Sequence, residues 1–344
     1  MKKNRRLQIL AEQELLAIYD RPRFNDAERR HYFSLSESEL ASVKLRSING
    51  VAASAKLYLI LQIGYFKAKH LFFNFQYIDV MDDCTFILST YMPNDLAPER
   101  LPTRTFQLKA KSNVLNLFGF QDNLEIIDDF ISEKSSMIVR KTNDPADVFN
   151  YLKDLLEKNQ MVLPPYSRLQ DAIGMALENE ERRVIEIIKN NLTEDIEESI
   201  KKLLEIEDVF YKITELKFDA KTFQTQEMQE ELNKLKTCEA IYLFSKQVLP
   251  QTDLSRKNIA YYSDMVKYYT VYKLKRLPKE LAYFYLTCYV HIRYEKIVNN
   301  VIQGFSYYVD KYSSDAKKYA DNNVPNSNTM SFSEDMFNAR SYLS

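Results

Sequence analysis

Glycine is scarce, with five residues in 344 (Gly50, Gly64, Gly119, Gly174 and Gly304). Sheet-rich folds and phosphate-binding loops need more, for tight turns and close backbone approach. Helices joined by ordinary polar turns are therefore expected. The three cysteines, Cys84, Cys238 and Cys288, lie far apart, form no CxxC pair and cannot make a disulfide framework, which points to a reducing, cytoplasmic setting. Long apolar runs are missing too. The stretches around 57–66 and 281–292 fall short of the roughly 18 residues that a membrane span needs. The basic start Lys2, Lys3, Arg5 and Arg6 imitates an export signal, but Glu12 and Glu14 interrupt what would be its apolar stretch. No membrane association is expected.

Sites for chemistry are equally sparse. His31, His70 and His291 are widely separated, and none has a second His or Cys at ligand spacing. No GxxxxGK[ST] loop or nucleophile elbow occurs. The acid pairs Asp82-Asp83 and Asp128-Asp129 could hold Mg²⁺, yet in so acidic a chain such pairs more often cap helices or face solvent. Neither cofactor nor metal is expected, and an enzyme reading has no foothold.

What is present is apolar content of 45%, ample for real cores, and a charge gradient beneath a net charge of −1. Residues 1–111 carry 17 basic and 12 acidic side chains, residues 256–318 carry 12 and 5, and the middle is strongly acidic. Two basic ends around an acidic spacer suit a polyanion held at two places, and equally suit ordinary solvated surface.

Local signals predict helices throughout. One runs over Leu10–Tyr19 and stops at Arg21-Pro22. Asp26 can cap a short helix to Tyr32, and Ser36 with Glu39 forms a capping box for a helix ending near Arg46. Asn49-Gly50 makes a turn into a long helix to Lys69, with Leu57, Ile60, Leu61, Gly64 and Tyr65 on its core face. A second unit holds a helix at 78–91, one from Arg104-Thr105 to Phe118 ended by Gly119, and one at 122–133. Pro164-Pro165 marks a boundary, and an acidic helix with Ile196, Ile200 and Leu203 follows. Two final helices flank Leu277-Pro278. The fold expected is all-α, several small helix-turn-helix-like bundles in series: domains 1–75, 76–160, an acidic spacer 161–250, a basic Tyr-rich domain 251–320, and a flexible tail 321–344.

Three cation clusters stand out as DNA contacts. Lys56, Lys67 and Lys69 share the long helix of the first unit. Arg104, Lys109 and Lys111 gather at the corresponding helix of the second. Lys273, Lys275 and Arg276 surround the last helix junction, beside Tyr268, Tyr269 and Tyr272. Such groups neutralise phosphates, and a helix start can admit side chains to base edges. Each cluster alone reads as well as a solvated basic face with tyrosines in the core.

The opening ILAEQELLAIYDRPRFNDAERRHYFSLSESELASV resembles the start of TnpA-type replicative transposases of the transposon-three family. So do Lys56-Leu57, Gln62-Ile63 and Tyr65-Phe66-Lys67 in the next helix, and RTFQLKAKSNVLNLFGF. LPPYSRLQDAIGMALENEERRVIEIIKNNL and LKRLPKELAYFYLTCYVHIRYEKIVNNVIQGF follow in family order. The similarity spans about residues 7–320. It implies helical DNA-binding domains that recognise the terminal inverted repeats of a transposon, without the carboxylate-triad catalytic domain that lies further along in the family. Lysines stand at 56 and 67 where the family has arginines, which keeps phosphate attraction but forfeits bidentate guanine recognition. The expected partner is double-stranded DNA, with a second copy or full-length transposase as further candidates. A catalytically inactive regulator and a helical interaction protein without DNA contact remain the alternatives.

Overall fold

The computed structural model describes residues 7–44, 53–95, 97–207 and 210–323. The fold is all-α. Among the described residues the only strands are β1 (Ile206–Glu207) and β2 (Phe210–Tyr211), a two-residue antiparallel pair. Among the described residues no helix is long and apolar enough to cross a membrane. The chain divides into two compact units, 1–184 and 185–344.

The first unit begins with α1 (Glu12–Tyr19), α2 (Asp26–Tyr32) and α3 (Glu37–Lys44). Asn25, rather than Asp26, caps α2, accepting from the amides of Ala27 and Glu28 while Glu28 returns a bond to the Asn25 amide. The expected box ahead of α3 is present: Ser36 N–H donates to Glu39 at 2.7 Å, and Glu39 N–H to Ser36 Oγ at 3.4 Å. The Asn49-Gly50 turn lies outside the described residues.

Next comes α4 (Ala53–Lys69), buried without a break from Leu57 to Phe66. A helix apolar all round belongs at the centre of a core, because no face is left to solvate. Around it pack α2, α3, α5 (Met81–Tyr91, preceded by a 3₁₀ turn at Tyr77–Val80) and α6 (Arg104–Phe118). Their shared core runs from Phe24 through Leu57, Tyr65 and Ile87 to Val114 and Val162. The boundary expected at 75/76 therefore falls inside one continuous core. Gly119, at φ 71°, closes α6 in the left-handed conformation that a side chain disfavours.

A second core in this unit unites α7 (Leu124–Ile138), α8 (Pro145–Lys158) and α9 (Tyr166–Asn191) with Leu10. Asp144 caps α8 and Pro145 takes its first position, where a missing N–H costs nothing. Tyr166 Oη accepts from the amides of Ile9 and Leu10, tying the start of the chain to this core.

The second unit holds α10 (Glu194–Leu203), the hairpin, α11 (Lys212–Leu216), α12 (Thr225–Thr252), α13 (Arg256–Tyr268), α14 (Val271–Leu274) and α15 (Lys279–Asn323). Its frame is the antiparallel pairing of α12 with α15. Ser245 meets His291, Tyr242 stacks on Tyr294 at 4.0 Å, Glu231 accepts from Asn300, and Thr225 reaches Tyr308. α15 continues to Asn323, three residues into the tail expected from 321, and the rest of that tail lies outside the described residues.

Candidate nucleic-acid interface

The nine cations expected to contact DNA fall into two groups. Three of them are committed within the first unit. Lys67 Nζ donates to Ser34 O and to Glu39 Oε2, both at 2.7 Å, and so locks α4 to the cap of α3. Lys69 Nζ donates to the carbonyls of Ala17, in the last turn of α1, and Asp20, just beyond it, and burial lowers its pKa. Lys111 pairs with Asp122 at 2.6 Å and lies over the Phe72 ring. These ammonium groups are brackets between elements. Lys67 and Lys69 lie in the last turn of α4 and Lys111 midway along α6, each within reach of a neighbouring segment.

Lys56, Arg104, Lys109, Lys273, Lys275 and Arg276 are different: none has a carboxylate partner among the described residues. In the first unit they sit on α6 and at the start of α4. Thr103 caps α6, its side chain accepting from the Phe106 amide. Ala110, Val114 and Leu115 bury one face, leaving Arg104, Thr105, Leu108, Lys109, Ser112 and Asn116 on the exposed one. That face carries no acid, and α6 contains no acid anywhere. Leu108 is 61% exposed between the two cations. Ser54 Oγ donates to Arg100 O at 2.6 Å, which sets the first turn of α4, with Lys56, beside the segment entering α6. Arg100 is exposed there as well, next to Glu99, and sequence reasoning passed it over because it lies in a proline-broken loop.

Since α4 is enclosed, it cannot enter a groove. In the first unit the outer face of α6 is the one that combines helical form, exposure and positive charge. A helix start of this kind offers free N–H groups, a positive dipole end and adjacent cations to a phosphate.

In the second unit the junction between α13 and α15 presents the other three. Val271 and Leu274 anchor α14 in the core, and Thr270 caps it by accepting from the Lys273 amide at 3.2 Å. Lys217, its pKa lowered by burial, donates to the carbonyls of Lys267 and Tyr269 and so fixes the end of α13. On this support each cation lies over a tyrosine ring: Lys273 over Tyr269 at 3.5 Å, Arg276 over Tyr272 at 4.5 Å and Lys275 over Tyr211 at 5.2 Å. Contacts of this kind contribute about 0.5–1 kcal/mol at exposed sites, and they orient a cation without neutralising it. Tyr268 and Tyr272 are themselves exposed, so they are not the core residues that a bland reading of the sequence would make them.

The acid pairs weighed as Mg²⁺ ligands are occupied otherwise. Asp83 is buried and accepts from Tyr65 Oη at 2.7 Å and Arg29 Nε at 2.8 Å, with Asp82 3.4 Å from the same guanidinium. Asp128 pairs with Arg168. Among the described residues no three His, Cys, Asp or Glu side chains gather where a metal could be held.

A family model described as a domain of unknown function, DUF4158, matches residues 9–176. These residues are a DUF4158 domain. No curated protein matches the chain. The DUF4158 domain takes in α1 to α8 and the first part of α9, and with them both cores of the first unit. The α6 face thus belongs to the DUF4158 domain, and the tyrosine-backed cations of the α13–α15 junction lie outside it.

Proposed function

We propose that this protein binds double-stranded DNA and serves as the end-recognition part of a transposase, reading the terminal inverted repeats of its transposon. The observation that carries this reading is the set of six cations without carboxylate partners: Lys56, Arg104 and Lys109 in one unit, and Lys273, Lys275 and Arg276 in the other. Other exposed cations, Arg100 and Lys318 among them, also have no carboxylate partner among the described residues; these six are set apart by gathering around the acid-free face of α6 in the first unit and over tyrosine rings in the second. Cations left open in this way release counterions when they meet phosphates. The occurrence of DUF4158 domains in transposase-related proteins supports the same reading, as does the ordered similarity to the transposon-three family. The outer face of α6 is the element assigned to the major groove, with Arg104 nearest the base edges and Lys109 on the backbone. The α13–α15 junction is assigned to phosphates alone.

Fluorescence anisotropy with a labelled duplex tests this. The element's own ends are expected to bind at least about tenfold more tightly than random duplex of equal length. Arg104→Glu with Lys109→Glu should weaken binding by roughly 10–100-fold. Lys202→Glu, which alters a cation already paired with Glu198 in the acidic stretch, should change little. Equal affinity for both duplexes would remove end recognition, and no binding at all would remove the DNA reading.

A further inference from the structure

The last helix extends well past its support. α12 begins at Thr225, level with Tyr308, whereas α15 runs on to Asn323. From Val309 to Asn322 every side chain is exposed. This stretch is rich in Tyr, Ser, Asp and Asn, which are poor helix formers, and a lone helix of about 15 such residues is marginal in water.

Its exposed apolar residues follow a 3–4 spacing: Ile302, Phe305, Val309, Tyr312, Ala316 and Tyr319. In heptad terms Ile302, Val309 and Ala316 take a positions, and Phe305, Tyr312 and Tyr319 take d positions. The row extends for three heptads. Ile302 is 56% exposed, Phe305 70% and Tyr312 66%. The face that α15 turns to α12 is a different one, carrying Ile297, Gly304 and Tyr308, with Met228 and Phe223 against Gly304. Up to Tyr308, then, the helix has two apolar faces, of which only one is covered by the described residues of the unit.

We propose that this second face pairs with the same segment of a second copy of the chain, as an antiparallel two-helix coiled coil centred between Val309 and Tyr312. Two features select a second copy and this orientation. First, charge is kept off the seam: Asp310, Lys311, Lys317 and Lys318 occupy outer b and c positions. The flanking e and g positions, Ser306, Tyr308, Ser313, Asp315 and Ala320, hold a single charge, so an identical helix meets almost no repulsion. Second, the side-chain volumes alternate. Antiparallel pairing sets each d residue opposite an a residue: Ile302 against Tyr319, Phe305 against Ala316, Val309 against Tyr312. Each layer then holds one aromatic ring and one smaller aliphatic group. A parallel pair would stack ring on ring and leave Ala316 facing Ala316, alternating overpacked and empty layers. The antiparallel arrangement is closed and two-fold, as homodimers usually are. Twelve seam side chains at on the order of 100 Å² each bury about 1,200 Å², the lower end of the range for a specific interface.

Sedimentation velocity of the full chain from about 1 to 100 µM tests the proposal. A monomer–dimer transition is expected, and Phe305→Glu with Val309→Glu should abolish it. Both positions are exposed in the single copy, so an unchanged circular dichroism spectrum will confirm that the variant folds. Orientation is read from disulfides: a mixture of Val309→Cys and Tyr312→Cys chains should cross-link as the hetero pair in preference to either homo pair. The native cysteines are buried and do not compete. A monomer at every concentration would overturn the proposal, as when residues 324–344 of the same chain or a different protein occupy the face. A dimer indifferent to the double substitution, or homo cross-links at 309, would overturn it equally.

Discussion

Replacing Asp83 with alanine should loosen the first unit while leaving the second untouched. Asp83 is 3% exposed and joins three helices: α5, which carries it, α4 through Tyr65, and α2 through Arg29. Burial, reinforced by the neighbouring carboxylate, pushes the Tyr65 phenol well above its ordinary pKa, so it remains a proton donor. Alanine leaves that buried hydroxyl without its acceptor, a loss of about 1.5–3 kcal/mol for a bond to a charged group. Arg29 fares better, because Asp26 at 2.8 Å and Asp82 at 3.4 Å still hold its guanidinium. The full 3–5 kcal/mol of an orphaned buried charge is therefore not reached, and the total should be about 2–4 kcal/mol. Hydrogen exchange resolves this by unit, which a single melting curve cannot do for a two-unit chain. Amides of α4 should exchange roughly 30–1,000-fold faster, at tenfold per 1.4 kcal/mol, and those of α12 at their original rate. Protection in α4 within about threefold of the parent would refute the reasoning, as would equal loss in α12.

Gly64→Ala should destabilise by about 1–3 kcal/mol, because the new methyl meets the enclosed ring of Phe33, and denaturant titration of the first unit reads the loss. Gly304→Ala should be tolerated or slightly stabilising in the same assay: its methyl meets the flexible end of Met228, and alanine gains up to about 1 kcal/mol in helix propensity. Burial alone would raise the pKa of Asp219, but the hydrogen bonds and charges of Lys296 and Arg293 together outweigh it and pull the group down to about 2, from an ordinary 3.8. A carboxyl with a depressed folded-state pKa stabilises above its ordinary pKa and loses that contribution as pH falls, here between about 4 and 2. For a side chain 41% exposed the contribution is about 1 kcal/mol after screening, and Asp219→Asn should remove that part of the acid dependence of unfolding. Lys67→Met should cost about 1–3 kcal/mol of stability in thermal melts and leave the DNA affinity of the folded protein within twofold, since its ammonium is already spent on Ser34 and Glu39.

The helical character of this chain could be read from its local chemistry. Scarce glycine pointed to helices, and the Ser36–Glu39 box and the Gly119 stop are each decided within a few residues and hold in the structure. Contacts across the sequence were hidden. Nothing local distinguishes Lys67, which reaches back 28 residues to Glu39, from Lys109, which has no carboxylate partner among the described residues. The buried run Leu57–Phe66 was readable as a core face, but its enclosure on all sides depends on helices drawn from residues 24–163. α12 escaped notice because its apolar stripe is diluted by Gln, Glu, Lys and Thr; its buried face includes Glu231, 0% exposed and satisfied by Lys234 and Asn300. The heptad row of α15 was present in the spacing from Ile302 onward, but only exposure separates a seam from a core stripe.

The DNA reading rests on phosphate neutralisation by Lys56, Arg104, Lys109, Lys273, Lys275 and Arg276, and the salt dependence of binding measures the number of phosphates neutralised directly. Duplex affinity should be titrated between 50 and 200 mM monovalent salt. Six contacts at about 0.9 counterions each predict a log–log slope near −5 and a loss of about 10³-fold across that range. Arg104→Ala with Lys109→Ala should reduce the slope to about −3.5. A slope between zero and −1 for the parent protein would contradict the account.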